Sequence, residues 1–194
     1  MLRPAGRRSG LLYDAALIVG GSLFVALSAQ VAIPLPFSPV PITGQTLAVL
    51  LVGALLGSRR GGLSLLTYLA EGAAGLPVYA GGTGGLVPLM GPTGGYLAGF
   101  VVAAFVTGLL AERGWDRHFV TTVLAMVLGN IVIYAFGLPW LAHFVGGAAV
   151  FALGLLPFLP GDIIKIIIAA ILLPGGWKLL GRSHGGANLP HPRI

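Results

Sequence analysis

Residues 157–173, PFLPGDIIKIIIAAILL, place an aspartate and a lysine three residues apart inside an otherwise apolar run. On a helix, side chains at i and i+3 are neighbours, about 5–6 Å apart at Cβ, so Asp162 and Lys165 share a face. A charge at the centre of a bilayer costs about 2.5–3.5 kcal/mol on insertion scales, and ions kept there pair with each other or mark a substrate site. Whether this run is a membrane span therefore decides both the fold and the meaning of the pair.

Composition answers the first part. Of the 194 residues, 56% are hydrophobic and only 8% charged, and the mean hydropathy is +0.96, against about 25% charged in soluble domains. The chain reads as an integral membrane protein. The apolar runs fall at 12–33, 43–57, 61–75, 93–111, 119–136 and about 141–173, the last divided by Pro157 and Pro160. A spanning helix takes about 20 apolar residues, so the length accommodates six crossings in one bundle. Two linkers without charge, PLPFSPVP at 34–41 and LPVYAGGTGGLVPLMGP at 76–92, interrupt the runs.

The formal charge of +6 does not gather on a face, which argues against nucleic acid. Instead it alternates. Arg3, Arg7 and Arg8 precede the first run, Arg59 and Arg60 follow the second, Arg113 and Arg117 follow the fourth, and Lys178, Arg182 and Arg193 follow the last. The other gaps, 34–42, 76–92 and 137–160, hold no Lys or Arg. Six crossings put these ten of the eleven basic residues, all but Lys165, on one side, which the positive-inside rule makes cytoplasmic. The expected fold is thus an all-α membrane protein, a single six-helix bundle with both termini cytoplasmic. It divides into a transmembrane substrate-binding domain, 1–176, and a cytoplasmic tail, 177–194. The basic-then-apolar start reads as a retained first helix, since no small-x-small cleavage site ends it. With no cysteine, thiol chemistry and disulfides are excluded.

Asp162 and Lys165 open the sixth helix on the outer side, facing protein or a cavity. One reading is a pair that neutralises itself, of small net value when buried. The other is a binding site: the first N–H groups of a helix are free for an acceptor, and both uncharged linkers lie on the same side as a lid.

Three blocks in order, FSPVPITGQTLAVLLVGALLGSRRG (37–61), GLPVYAGGTGGLVPLMGPTGGYLAGF (75–100) and LPFLPGDIIK (156–165), resemble the signature segments of the BioY family, the biotin-specific substrate-capture subunits (S components) of energy-coupling factor transporters. The resemblance spans roughly 12–175 and implies a six-helix subunit of a prokaryotic cell membrane that binds biotin from outside. It implies partners too: a transmembrane coupling protein and two ATPase subunits, dispensable in some members. No G-x-x-x-x-G-K-[ST] phosphate loop occurs in the chain, and no cofactor or metal is called for.

Biotin carries a ureido ring with two N–H donors and one carbonyl, an apolar bicycle and chain, and a carboxylate. An ionised Asp only accepts and a Lys only donates, so Asp162 suits a ureido N–H while Lys165 suits the ureido oxygen or the carboxylate. Further candidates for the substrate site are Thr43 and Gln45 behind Pro41, with helix capping by Thr43 as the alternative. Gly82 and Thr83, in the glycine run 81–85, offer backbone approach or a flexible lid. Tyr79 and Tyr96, with Trp140, are flanking aromatics or interface anchors. Asn130 in the fifth run serves ligand contact or interhelical bonding, and Glu71 caps a helix or pairs with Lys165. Ser22 and Ala26 on the first helix, four apart, stand where the family carries a small-x-x-x-small surface for the coupling protein; packing within the subunit is the alternative.

Rival functions find less support. The four histidines, His118, His143, His184 and His191, are scattered, no H-E-x-x-H occurs, and no acid–base constellation can be named for an intramembrane enzyme. A capture subunit for a different small vitamin has the same architecture and stays open.

Overall fold

The computed structural model describes residues 7–184. In chain order these form helix α1 (Arg7–Ala29), strands β1 (Ala32–Leu35) and β2 (Ser38–Thr43), α2 (Gln45–Leu56) and α3 (Ser58–Ala73). After a 3-10 turn (Ala80–Gly82) come α4 (Val87–Met90), α5 (Gly94–Glu112), α6 (Phe119–Val145), α7 (Val150–Gly154) and α8 (Leu159–His184). Readings that involve Arg3, Arg193, His191 and the tail beyond 184 lie outside the described residues.

Four helices, α1, α5, α6 and α8, are long and apolar enough to cross a membrane. The other two large helices are shorter: α2 has 12 residues and α3 has 16, about 18 and 24 Å at 1.5 Å per residue against a hydrocarbon core of about 30 Å. Helix α2 compensates by burial. Residues 48–54 are all buried, so α2 is wrapped by its neighbours instead of facing lipid along its length. The close fit depends on missing side chains, because a Cβ at Gly53 would lie 2.3 Å from the Ala104 carbonyl oxygen of α5 and one at Gly61 2.9 Å from Gly53 Cα. Small residues let backbones approach in this way where no hydrophobic driving force acts between helices.

The all-α expectation needs correcting at residues 32–43, which contain the linker read from sequence at 34–41. They form an antiparallel hairpin in which Ala32 pairs with Thr43, Ile33 with Ile42 and Leu35 with Ser38, with an irregularity between Ile33 and Leu35. Proline is confined to strand edges because it lacks the N–H. Pro39 and Pro41 are two apart, so their missing donors fall on the same edge of β2, and a two-stranded ribbon has an outer edge to spare.

Two helices run on through prolines that sequence placed in or beside breaks. Helix α6 continues past Pro139 to Val145, and α8 continues through Pro174. Neighbouring helices in a bundle tolerate such residues. The boundary between 176 and 177 therefore falls inside α8, where residues 177–184 are still helical.

Polar contacts tie the turns together at one end of the bundle. Arg60 pairs with Asp14 of α1 at 2.5 Å, Glu112 Oε1 accepts from Ser58 N and Oγ at 2.8 Å each, and Arg117 stacks 5.0 Å over the Trp177 ring near the end of α8. Arg59, Arg60, Arg113, Arg117 and Lys178 thus share one end. The hairpin, the 76–92 segment, α7 and the start of α8 share the other, joined by Ser38 Oγ to Leu153 O and Tyr96 OH to Gly154 O, both 2.8 Å.

Candidate functional site

At that second end lies a cavity of about 180 Å³, walled by the β2–α2 junction, the 76–92 segment, α5, α6 and the start of α8. Asp162 sits in the first turn of α8, where the helix dipole favours a carboxylate. It is 4% exposed. Tyr134 of α6 donates its hydroxyl to Asp162 Oδ2, and Oδ1 lies 3.6 Å from Lys165 Nζ. The ammonium is also held by two acceptors at the β2–α2 junction, Thr43 O and Thr46 Oγ1, each at 2.8 Å. The two readings of the pair are therefore not exclusive: the charges neutralise each other, and both line the cavity.

A polar chain continues from Lys165 along the wall. Thr43 Oγ1 donates to Gln45 Oε1 at 3.0 Å, and Gln45 Nε2 donates to the buried Tyr68 hydroxyl. Gly44 is the N-cap of α2; Thr43 Oγ1 accepts from Gln45 N at a long 3.4 Å. Tyr68 meets Tyr79 edge to face, with ring centroids 5.4 Å apart. Tyr79 is fixed in turn by its hydroxyl donating to Leu69 O at 2.8 Å, its ring covering Gly72. On the opposite wall Tyr96 stands 6.3 Å from Tyr134. Val40, Pro41, Leu97, Ile133 and Phe158 supply apolar surface between these polar groups. This is the make-up of a small-molecule site, apolar with a few placed polar groups.

Of the residues singled out from sequence, Thr43, Gln45, Tyr79, Thr83, Tyr96, Asp162 and Lys165 all line this cavity. The others do not. Gly82 is off the wall; its φ of 72° and that of Gly81, 67°, form the left-handed turn that lets Tyr79 N reach Thr83 O at 2.9 Å. Asn130 lines a second, smaller cavity with Thr46, Leu50, Met126, Lys165 and Ile166; its Nδ2 donates to Met126 O at 3.2 Å. Ser22 and Ala26 are buried, and Ser22 Oγ bonds Glu71 Oε1 at 3.0 Å. Ser22 thus ties α1 to α3, and both residues face the inside of the bundle, whereas the outward face of α1 carries Ala16 and Gly20. Glu71 accordingly engages Ser22, not Lys165. Trp140 reaches Gly91 O at 2.8 Å, outside the cavity.

Three polar wall residues escaped the sequence reading: Tyr134, Thr46, and Thr93 inside the 75–100 block. Each had a signal. Tyr134 is one turn beyond Asn130 on the same helical face, and Thr46 closes the PITGQT block beside Gln45.

The sequence model of the BioY family matches residues 6–182. The chain is 44% identical over 159 residues to the biotin transporter BioY of Rhizobium etli, covering 78% of this chain and 85% of that one. It is 40% identical over 157 residues to the biotin transporter BioY of Thermotoga maritima, covering 80% and 92%. Its fold superposes on the crystal structure of the S-component for biotin from an ECF-type ABC transporter with a TM-score of 0.78 at 27% identity, covering 90% of this chain and 95% of the other. A match over nearly the whole helical body, on a chain whose signature blocks converge on one cavity, shows that this multi-pass membrane protein belongs to the BioY family.

Proposed function

We propose that the chain captures biotin from outside a prokaryotic cell membrane and passes it inward with a transmembrane coupling protein and two ATPase subunits. The observation that carries this is the meeting of one carboxylate and one ammonium, 3.6 Å apart, on a cavity with apolar walls in a member of the BioY family. So close a pair addresses a single end of the ligand. The ureido ring presents an N–H donor and a carbonyl acceptor side by side and matches both partners. A ligand carboxylate at Lys165 would lie against the Asp162 charge, and like charges repel. Asp162 and Lys165 therefore grip the ureido ring, and the valerate tail runs toward Thr83 and Thr93 on the 76–92 side.

Competition against labelled biotin tests this orientation. 2-Iminobiotin, which lacks the ureido carbonyl, is expected to bind at least tenfold more weakly than biotin, about 1.4 kcal/mol. Biotin methyl ester is expected to stay within threefold. The reverse ranking would turn the ligand around, and failure of biotin itself to bind would remove the substrate assignment.

In the membrane, the chain is read as crossing six times, with α2 and α3 as the short spans and the arginine-bearing end cytoplasmic by the positive-inside rule. Exposed Arg59 and Arg113 report on this. Cysteines replacing them should react with an impermeant maleimide only after the membrane is opened; labelling of intact cells would overturn the orientation.

A further inference from the structure

Asn130 is the one strongly polar residue of the α6 core that the ligand cavity leaves aside. Its Oδ1 is buried and lacks a hydrogen-bond partner, a costly state for an amide oxygen. The small cavity it lines has no room for a water molecule, so water cannot satisfy it. One wall of that cavity is Lys165, which also lines the ligand cavity. The lysine stands between the two spaces.

Its hydrogen bonds come from one side, while its counter-ion Asp162 stands 3.6 Å away on α8 itself. Thr43 O, at the end of β2, and Thr46 Oγ1, in the first turn of α2, both belong to the β2–α2 junction. A ligand gripped between the β2–α2 junction and α8 is freed when these move apart, and the same movement takes both acceptors from the ammonium together. Asp162 stays beside it at 3.6 Å, but the ammonium has then lost both of its hydrogen-bond acceptors, and a buried donor left unpaired is disfavoured. Helix α6 packs on α8 and presents Tyr134 and, four residues before it, Asn130, which shares the small cavity with Lys165. Tyr134 already bonds Asp162. The α6 pair thus offers a donor for the aspartate and an acceptor for the lysine.

We infer that Asn130 is a positioning residue of the transport cycle, whose Oδ1 receives the Lys165 ammonium when α2 releases it and so lets the ligand leave. This rests on the reading of Asp162 and Lys165 as the ligand-gripping pair. Asn130 then touches no ligand, and its loss acts on delivery, not on capture.

The test compares two readouts: equilibrium binding of labelled biotin to the purified chain, and uptake of labelled biotin by cells expressing the chain with its coupling protein and ATPases. Asn130→Leu is expected to bind biotin within threefold of the native chain and to lower uptake at least tenfold. Asn130→Asp, which keeps an acceptor, is expected to retain uptake. If the leucine variant does not fold, Asn130→Ala gives the same comparison. Binding weakened tenfold or more would make Asn130 a direct ligand contact and overturn the inference, as would unchanged uptake in a folded variant without the acceptor. If the native chain binds no biotin, it is the substrate assignment that fails instead.

Discussion

Replacing Asp162 with asparagine is expected to weaken biotin binding at least a hundredfold, about 2.7 kcal/mol, without unfolding the protein. The amide has nearly the volume of the carboxylate, so the cavity keeps its shape, and its oxygen can still accept from Tyr134. What disappears is the charge. The ureido N–H loses a charge-assisted bond, worth about 1.5–3 kcal/mol, and Lys165 loses the anion 3.6 Å away. Removing one partner of a buried charge pair costs about 2–5 kcal/mol in binding, much of it for stranding the other. Equilibrium binding on a variant that still elutes as a single folded species is the measurement. An affinity within threefold of the native value would take Asp162 out of the site.

Lys165→Met carries the second large effect, an affinity loss of at least thirtyfold, about 2 kcal/mol. Methionine fills much of the same space but donates nothing. The ureido carbonyl loses its donor, and Thr43 O and Thr46 Oγ1 lose the ammonium that ties the β2–α2 junction to α8. The fold is expected to survive because the helices are held elsewhere, by α5 against α2 at Gly53 and by Tyr96 to Gly154 O. Thermal unfolding followed beside binding separates the two roles. A variant that cannot fold would mean that the pair mainly holds the helices together, and an unchanged affinity would mean that Lys165 faces no ligand.

Hydropathy and charge spacing made the long helices legible, because a span must satisfy its backbone internally and advertises this as an uninterrupted apolar run. The hairpin was not legible. Four prolines in 34–41 argue locally against any regular element, and only the two-residue spacing of Pro39 and Pro41 permits a ribbon that pairs along its proline-free edge. Pro139 and Pro174 are breaks by local rules, yet α6 and α8 run on through them, and local sequence does not decide between a break and a continued helix.

The charged pair was readable because ions are conspicuous among apolar residues. Tyr134 and Thr46 were not, since a hydroxyl in an apolar run has many innocent uses. Which face of a helix turns inward was also hidden. Ser22 and Ala26 look like a docking stripe by spacing, and only tertiary packing shows that both are buried and that Ser22 meets Glu71 of α3. The same ambiguity attached to Asn130, a turn below the cavity wall but not on it.

The most direct test of the central claim is equilibrium binding of labelled biotin to the purified chain, without other subunits, beside riboflavin and thiamine. Saturable binding of biotin alone, with a Kd below about 1 µM, or roughly −8 kcal/mol, is the predicted result. No saturable binding of biotin, or equal binding of either other vitamin, would contradict it.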